Sequence, residues 1–112
     1  MDKSFYCLHS ELCKTLANPK RQEIMDHLRE GELTVNELVA KTSIPQANLS
    51  QHLAILRTQG VLEARRQGAN VYYHIENPKI IKAFDLITEV MQERQTKNDR
   101  AIDEAVHAHA AS

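Results

Sequence analysis

The stretch Pro45-Gln46-Ala47-Asn48-Leu49-Ser50-Gln51-His52-Leu53-Ala54-Ile55-Leu56-Arg57-Thr58-Gln59-Gly60 constrains this chain more than any other. Leu49, Leu53 and Leu56 recur at i, i+4 and i+7, so a helix here carries a narrow apolar stripe that must dock on a core, and Gly60 supplies a left-handed stop. The opposite side carries Ala47, Asn48, Ser50 and Gln51. Amides and hydroxyls near a helix N-terminus suit a DNA major groove, where Asn and Gln pair with adenine in two-bond fashion and Ser reaches phosphate. The same pattern also describes an ordinary surface helix with a polar exterior.

The flanking sequence resolves into short elements. From about Lys3 to Ala17, Phe5, Leu8, Leu12 and Leu16 fall on one helical stripe. Asn18-Pro19 then offers an N-cap followed by a proline suited to a first helical turn, opening a second helix that runs to His27-Leu28 and stops at Gly31, with Ile24 and Leu28 inward. Thr34-Val35-Asn36-Glu37 matches a capping box, so a third helix begins at Val35, and Thr42-Ser43-Ile44-Pro45 breaks it. A short helix, a tight turn and the 46–59 helix make a helix-turn-helix. After Gly60 the period changes to two: Val61–Arg66 and Asn70–Ile75 read as strands joined by a turn over 67–70, a two-stranded wing. Arg65 and Arg66, just before its tip, are placed to touch phosphate or enter a minor groove. Asn77-Pro78 repeats the cap-then-proline signal and starts a last long helix, in which Ile80, Ile81, Phe84, Ile87, Val90 and Met91 form a broad apolar stripe. That stripe and the first helix's exceed what so small a domain covers, which predicts a dimer through the first and last helices. Beyond Glu93 the chain turns polar and ends in Ala/His-rich sequence, either a helical extension or a frayed tail.

At 112 residues the chain fits one domain. With no run of 18 apolar residues and no signal-like N-terminus, a cytoplasmic protein without a membrane span is expected. The net charge of −1 hides a basic middle: from Lys41 to His74, Lys41, Arg57, Arg65 and Arg66 face Glu63 alone. That distribution presents one face to phosphate. Three glycines in all and no nucleophile–base–orienter set give no indication of an enzyme.

Over roughly Leu12 to Met91 the chain resembles the ArsR/SmtB family of winged-helix transcriptional repressors. The carrying residues are Leu16-Ala17-Asn18-Pro19-Lys20-Arg21, Ser50-x-His52-Leu53-x-x-Leu56-Arg57, Gly60-Val61-Leu62, Arg66-x-Gly68 and Val71-Tyr72-Tyr73. The resemblance implies a homodimer that binds a palindromic double-stranded operator and lets go when an inducer alters the dimer. It carries the DNA contacts onto Gln46, Asn48, Ser50, Gln51 and His52 in the helix, and onto Arg65, Arg66 and Asn70 in the wing. The family's metal sites do not carry over. Thr34 and Asn36 stand where its Cys-x-Cys pair belongs, and Asn77, Lys79 and Val90 replace three of four zinc ligands, leaving Glu93.

The remaining soft ligands lie at the ends: Cys7, His9 and Cys13, then His107 and His109. Cys7 and Cys13 are candidate sensor thiols for a thiophilic metal, a metalloid or an oxidant; His107 and His109 are weaker metal candidates. On one intact helix the two cysteines stand about 240° apart around the axis and roughly 9 Å along it, too far for a disulfide between them. A site shared with a partner subunit, or two structurally incidental thiols, both fit. The chain thus reads as mainly α with a β-hairpin wing, about five helices in all. Residues 1–95 are expected to form the winged helix-turn-helix for DNA binding and dimerisation, and residues 96–112 a polar C-terminal extension or tail. The expected function is an inducer-released homodimeric repressor that needs no cofactor beyond a possible metal or metalloid inducer. A winged-helix protein-interaction module and an effector-independent repressor are the alternatives.

Overall fold

A computed structural model describes residues 1–111, with side chains through Ala108, so the side chain of His109 lies outside the described residues. The elements in order are α1 (Lys3–Leu16), α2 (Pro19–Leu28), β1 (Leu33–Thr34), α3 (Val35–Thr42), α4 (Gln46–Thr58), β2 (Leu62–Gln67), β3 (Asn70–Ile75) and α5 (Lys79–Ala111). The chain forms two compact units, Met1–Ile81 and Lys82–Ser112. None of the described helices is long and apolar enough to cross a membrane.

Local chemistry sets the boundaries. Asn18 Oδ1 accepts from the amides of Lys20 and Arg21 at 3.0 and 3.2 Å, with Pro19 in the first turn where its missing N–H costs nothing. The capping box forms: the Glu37 amide donates to Thr34 Oγ1 at 3.2 Å, and the Thr34 amide donates to Glu37 Oε1 at 3.2 Å. At the end of α3, Ser43 takes a left-handed φ of 59°, a conformation costing a non-glycine residue about 1 kcal/mol or more. Its amide donates to Val39 O at 2.9 Å, and the turn drives Ile44 into the core at 4% exposure.

That core joins Ile24, Met25 and Leu28 of α2, Leu38 of α3, Ile44, the Leu49/Leu53/Leu56 stripe of α4, and Val61 and Leu62. Leu12 and Leu16 pack partly against it, as do Ile80 and Ile81. The outer half of the α1 stripe does not share this burial: Phe5 and Leu8 are 45% and 69% exposed. Within the second unit, Leu86, Ile87, Val90 and Met91 are exposed as well.

The two-stranded β2–β3 wing forms as expected, and a strand the sequence did not announce joins it: β1 pairs antiparallel with β3, Leu33 opposite Tyr73 and Thr34 opposite Tyr72, giving a three-stranded sheet in the order β1-β3-β2. A two-residue strand is too short to show alternation, and Thr34 also caps α3, so its sequence signal is that of a cap. At the C-terminal end, α5 runs unbroken past position 95 to Ala111, a helical extension rather than a frayed tail. No Gly or Pro follows Pro78, and the polar stretch is built of good helix formers such as Glu, Gln, Lys, Arg and Ala.

Candidate nucleic-acid interface

Burial of one face of α4 orients the other. Leu49, Leu53 and Leu56 are at most 1% exposed, while Gln46, Ala47, Asn48, Ser50 and Gln51 are all exposed. Burying each leucine contributes about 1.5–3 kcal/mol, so the stripe fixes the helix's rotation firmly. Pro45 stands at the N-cap without any side-chain cap hydrogen bond. The first amides of α4 therefore remain donors at the positive end of a helix dipole, which suits an anion.

His52 holds a different post from its neighbours. It is half-buried, and its Nδ1 accepts from Arg21 Nε at 3.2 Å, while Arg21 Nη1 donates to the carbonyl of Thr15 at 3.2 Å. Burial lowers the imidazole's pKa, and the charges of Arg21 and Lys20 lower it further. The hydrogen bond assigns the neutral ring's proton to Nε2, leaving that N–H as its one donor. Arg21 thus ties the end of α1, helix α2 and helix α4 together, a role sequence reasoning missed although Arg21 sits in the Asn18-Pro19-Lys20-Arg21 motif.

The two wing arginines part company because successive strand residues face opposite ways. Arg65 pairs with Glu32 through Nη2 and through Nε at 3.2 Å, donates from Nη1 to Gln67 Oε1 at 2.6 Å, and lies 5.0 Å over the Tyr72 ring. Its hydrogen bond to Glu32 holds that carboxyl below, and the guanidinium above, their ordinary values. Arg66 is exposed and forms no ion pair among the described residues. Asn70 opens β3 opposite Gln67, beside a turn in which Gly68 takes a φ of 62°.

A second constellation lies nearer the wing's root. Glu63 faces His74 across the β2–β3 ladder, with His74 Nε2 3.3 Å from Glu63 Oε2. Glu76 joins them: one ligand atom from each of the three residues lies within 4.8 Å of the other two. Donation from a protonated Glu76 carboxyl to the Glu63 carboxylate lowers the pKa of Glu63 and raises that of Glu76. The signal was present in the sequence, since counting outward from a two-residue Gly68-Ala69 turn places Glu63 opposite His74. The candidate sensor residues are not gathered in this way. Cys7 and Cys13 are exposed free thiols on α1, and Cys13 Sγ lies 3.5 Å from His9 Nδ1. His107 is exposed on α5, Thr34 is occupied as a cap, and Asn77 Oδ1 accepts from the Lys79 amide at 3.0 Å.

Comparison with known proteins agrees with this architecture. The family of bacterial regulatory proteins of the arsR type matches residues 18–64, the segment from the α2 cap into β2. The transcriptional repressor PagR of Bacillus anthracis is 37% identical over 82 residues, covering 72% of this chain and 82% of its own. The chain belongs to the ArsR family. A biofilm growth-associated repressor of Agrobacterium fabrum is also 37% identical, over 68% of this chain, and the match spans just under two thirds (65%) of that longer protein. Among solved structures, Rv0081 of Mycobacterium tuberculosis superposes with a TM-score of 0.79 at 34% identity, covering 87% of this chain and 98% of that one. A homodimeric winged helix-turn-helix domain from Mycobacterium bovis gives a TM-score of 0.74 at 30% identity, covering 83% and 88%. This ArsR-family chain therefore has the winged helix-turn-helix fold of DNA-binding transcriptional regulators.

Proposed function

We propose that this ArsR-family protein is a homodimeric cytoplasmic repressor that reads a palindromic operator with α4 and steadies itself on the duplex with its wing. The observation that carries this is the division of α4 into a fully buried leucine stripe and an exposed row of Gln46, Asn48, Ser50 and Gln51, with its first amides uncapped by any side chain. Asn48 and Gln51 address base edges, while Gln46, Ser50 and the amides address the backbone. Arg66 and Asn70 meet phosphate or the minor groove. Arg65 acts through its tie to Glu32, setting the wing's pose, and His52 offers Nε2–H to a phosphate while anchored by Arg21. A second copy covers the exposed rows of Phe5 and Leu8 on α1 and of Leu86, Ile87, Val90 and Met91 on α5, so residues 1–95 serve both DNA binding and dimerisation and residues 96–112 extend the last helix.

Release by an inducer is assigned to Cys7 and Cys13, whose exposed thiols face thiophiles and oxidants directly; Cys13 has the His9 imidazole beside it as a second ligand. Fluorescence anisotropy of the reduced, metal-free protein on DNA from upstream of its own gene tests the reading. Tight binding that arsenite or peroxide abolishes, and that Cys7→Ser with Cys13→Ser makes resistant, supports both assignments. Tight binding undisturbed by these agents leaves a repressor without thiol sensing. Failure to bind any duplex in low salt favours a protein-interaction module instead.

A further inference from the structure

We propose that Glu63, His74 and Glu76 form a binding site for one divalent metal ion of the zinc, cobalt, nickel or manganese class, at the root of the wing. Backbone pairing, not chance surface proximity, brings the three donors together. Glu63 and His74 are partners in the β2–β3 register, so their side chains project from the same face. Glu76 lies two residues beyond His74, on the same side of the extended chain, and its amide donates to Val61 O at 3.0 Å, which continues the ladder past the end of β3.

The distances suit a small ion. The three ligand atoms lie within 4.8 Å of one another. Donors around a tetrahedral zinc with bonds of about 2.1 Å stand about 3.4 Å apart, a contraction that rotation of two exposed glutamates supplies. The imidazole is already turned toward the site. Its Nε2 faces Glu63, whereas Nδ1 is enclosed and has no hydrogen-bond partner among the described residues. Two carboxylate oxygens and one imidazole nitrogen are a borderline donor set that selects against Cu(I) and arsenite-like thiophiles and leaves room for water as a further ligand. The site shares no residue with α1, so it is separate from the thiols. Because Glu76 leads through Asn77 and Pro78 into α5, a bound ion would fasten the β2–β3 ladder to the start of that helix.

The test needs no DNA and does not depend on the proposed function. The 112-residue chain carrying Cys7→Ser and Cys13→Ser is titrated with Co²⁺ and Zn²⁺ against a chromophoric chelator. One equivalent per chain is expected, with at least a tenfold loss of affinity in His74→Gln and in Glu63→Gln. Circular dichroism melting of the metal-free variants establishes that they fold. A readout on the unsubstituted site stands beside them: histidine side-chain NMR should show the His74 ring shifting at one equivalent, before His9 or His107. No binding up to millimolar metal, affinity unchanged in both variants, or first shifts at the other histidines would overturn the proposal.

Discussion

Helix α4 and the hairpin that follows it solve the problem of presenting polar groups in opposite ways. On α4 the apolar face is buried almost completely, so Asn48, Ser50 and Gln51 are held outward by the rotation of the helix as a whole. On the hairpin, β3 is half-buried and orientation comes from particular polar ties: Glu32 to Arg65, Tyr72 beneath that guanidinium, and Glu63 to His74. The difference teaches where each should be robust. A helix fixed by three buried leucines tolerates changes on its outer face without moving. A wing fixed by exposed ion pairs yields to salt and to single charge changes.

The largest way to break that contrast is at the stripe. Leu53→Ala should cost about 2–5 kcal/mol in urea unfolding, because the site is closed on all sides, whereas Gln51→Ala should stay within about 0.5 kcal/mol. A small loss at Leu53 would mean that the core does not orient α4. Thr34 comes next, since it both caps α3 and pairs with Tyr72 of the wing. Thr34→Ala should cost about 1 kcal/mol by the same assay, and Thr34→Ser should recover most of it.

The wing's ties are expected to matter more for DNA than for stability. Glu32→Gln should leave the melting midpoint nearly unchanged while steepening the salt dependence of duplex binding, as Arg65 turns from the carboxylate to phosphate. A flatter or unchanged slope would show that Arg65 contributes nothing once released. The smallest effect is that of pH on His52. Its pKa in the folded chain lies below the ordinary histidine value, so between the two the unfolded chain binds the extra proton. Stability is therefore intact above the ordinary value near pH 6.5 and declines as the pH falls from there toward the folded pKa. Comparing chemical unfolding of the parent and His52→Gln across that window should show the decline only in the parent.

Much of this was legible in the sequence, for physical reasons that can be named. Asn18-Pro19, the Thr34–Glu37 box and the Leu49/Leu53/Leu56 stripe each encode an interaction complete within a few residues, and each forms. What was not legible depends on partners far along the chain. The tie from Glu32 to Arg65 and that from Arg21 to His52 each span more than thirty residues, so no local pattern announces them. β1 was hidden by its length and by the cap signal of Thr34. The reach of α5 was hidden because its polar stretch lacks an apolar period, although its composition favours helix throughout. Of the two wing arginines, adjacency suggested one shared role, and only the strand's alternation and Glu32 separate them.

The claim that α4 specifies sequence while the wing holds the duplex is tested most directly by measuring two variants side by side. Gln51→Ala and Arg66→Ala are each titrated against an operator duplex and a scrambled duplex over a range of salt. Gln51→Ala should lose about 1–3 kcal/mol on the operator and almost nothing on scrambled DNA. Arg66→Ala should weaken both duplexes alike and reduce the salt slope by about 1. Equal losses on both duplexes for Gln51→Ala, or an operator-only loss for Arg66→Ala, would contradict the account.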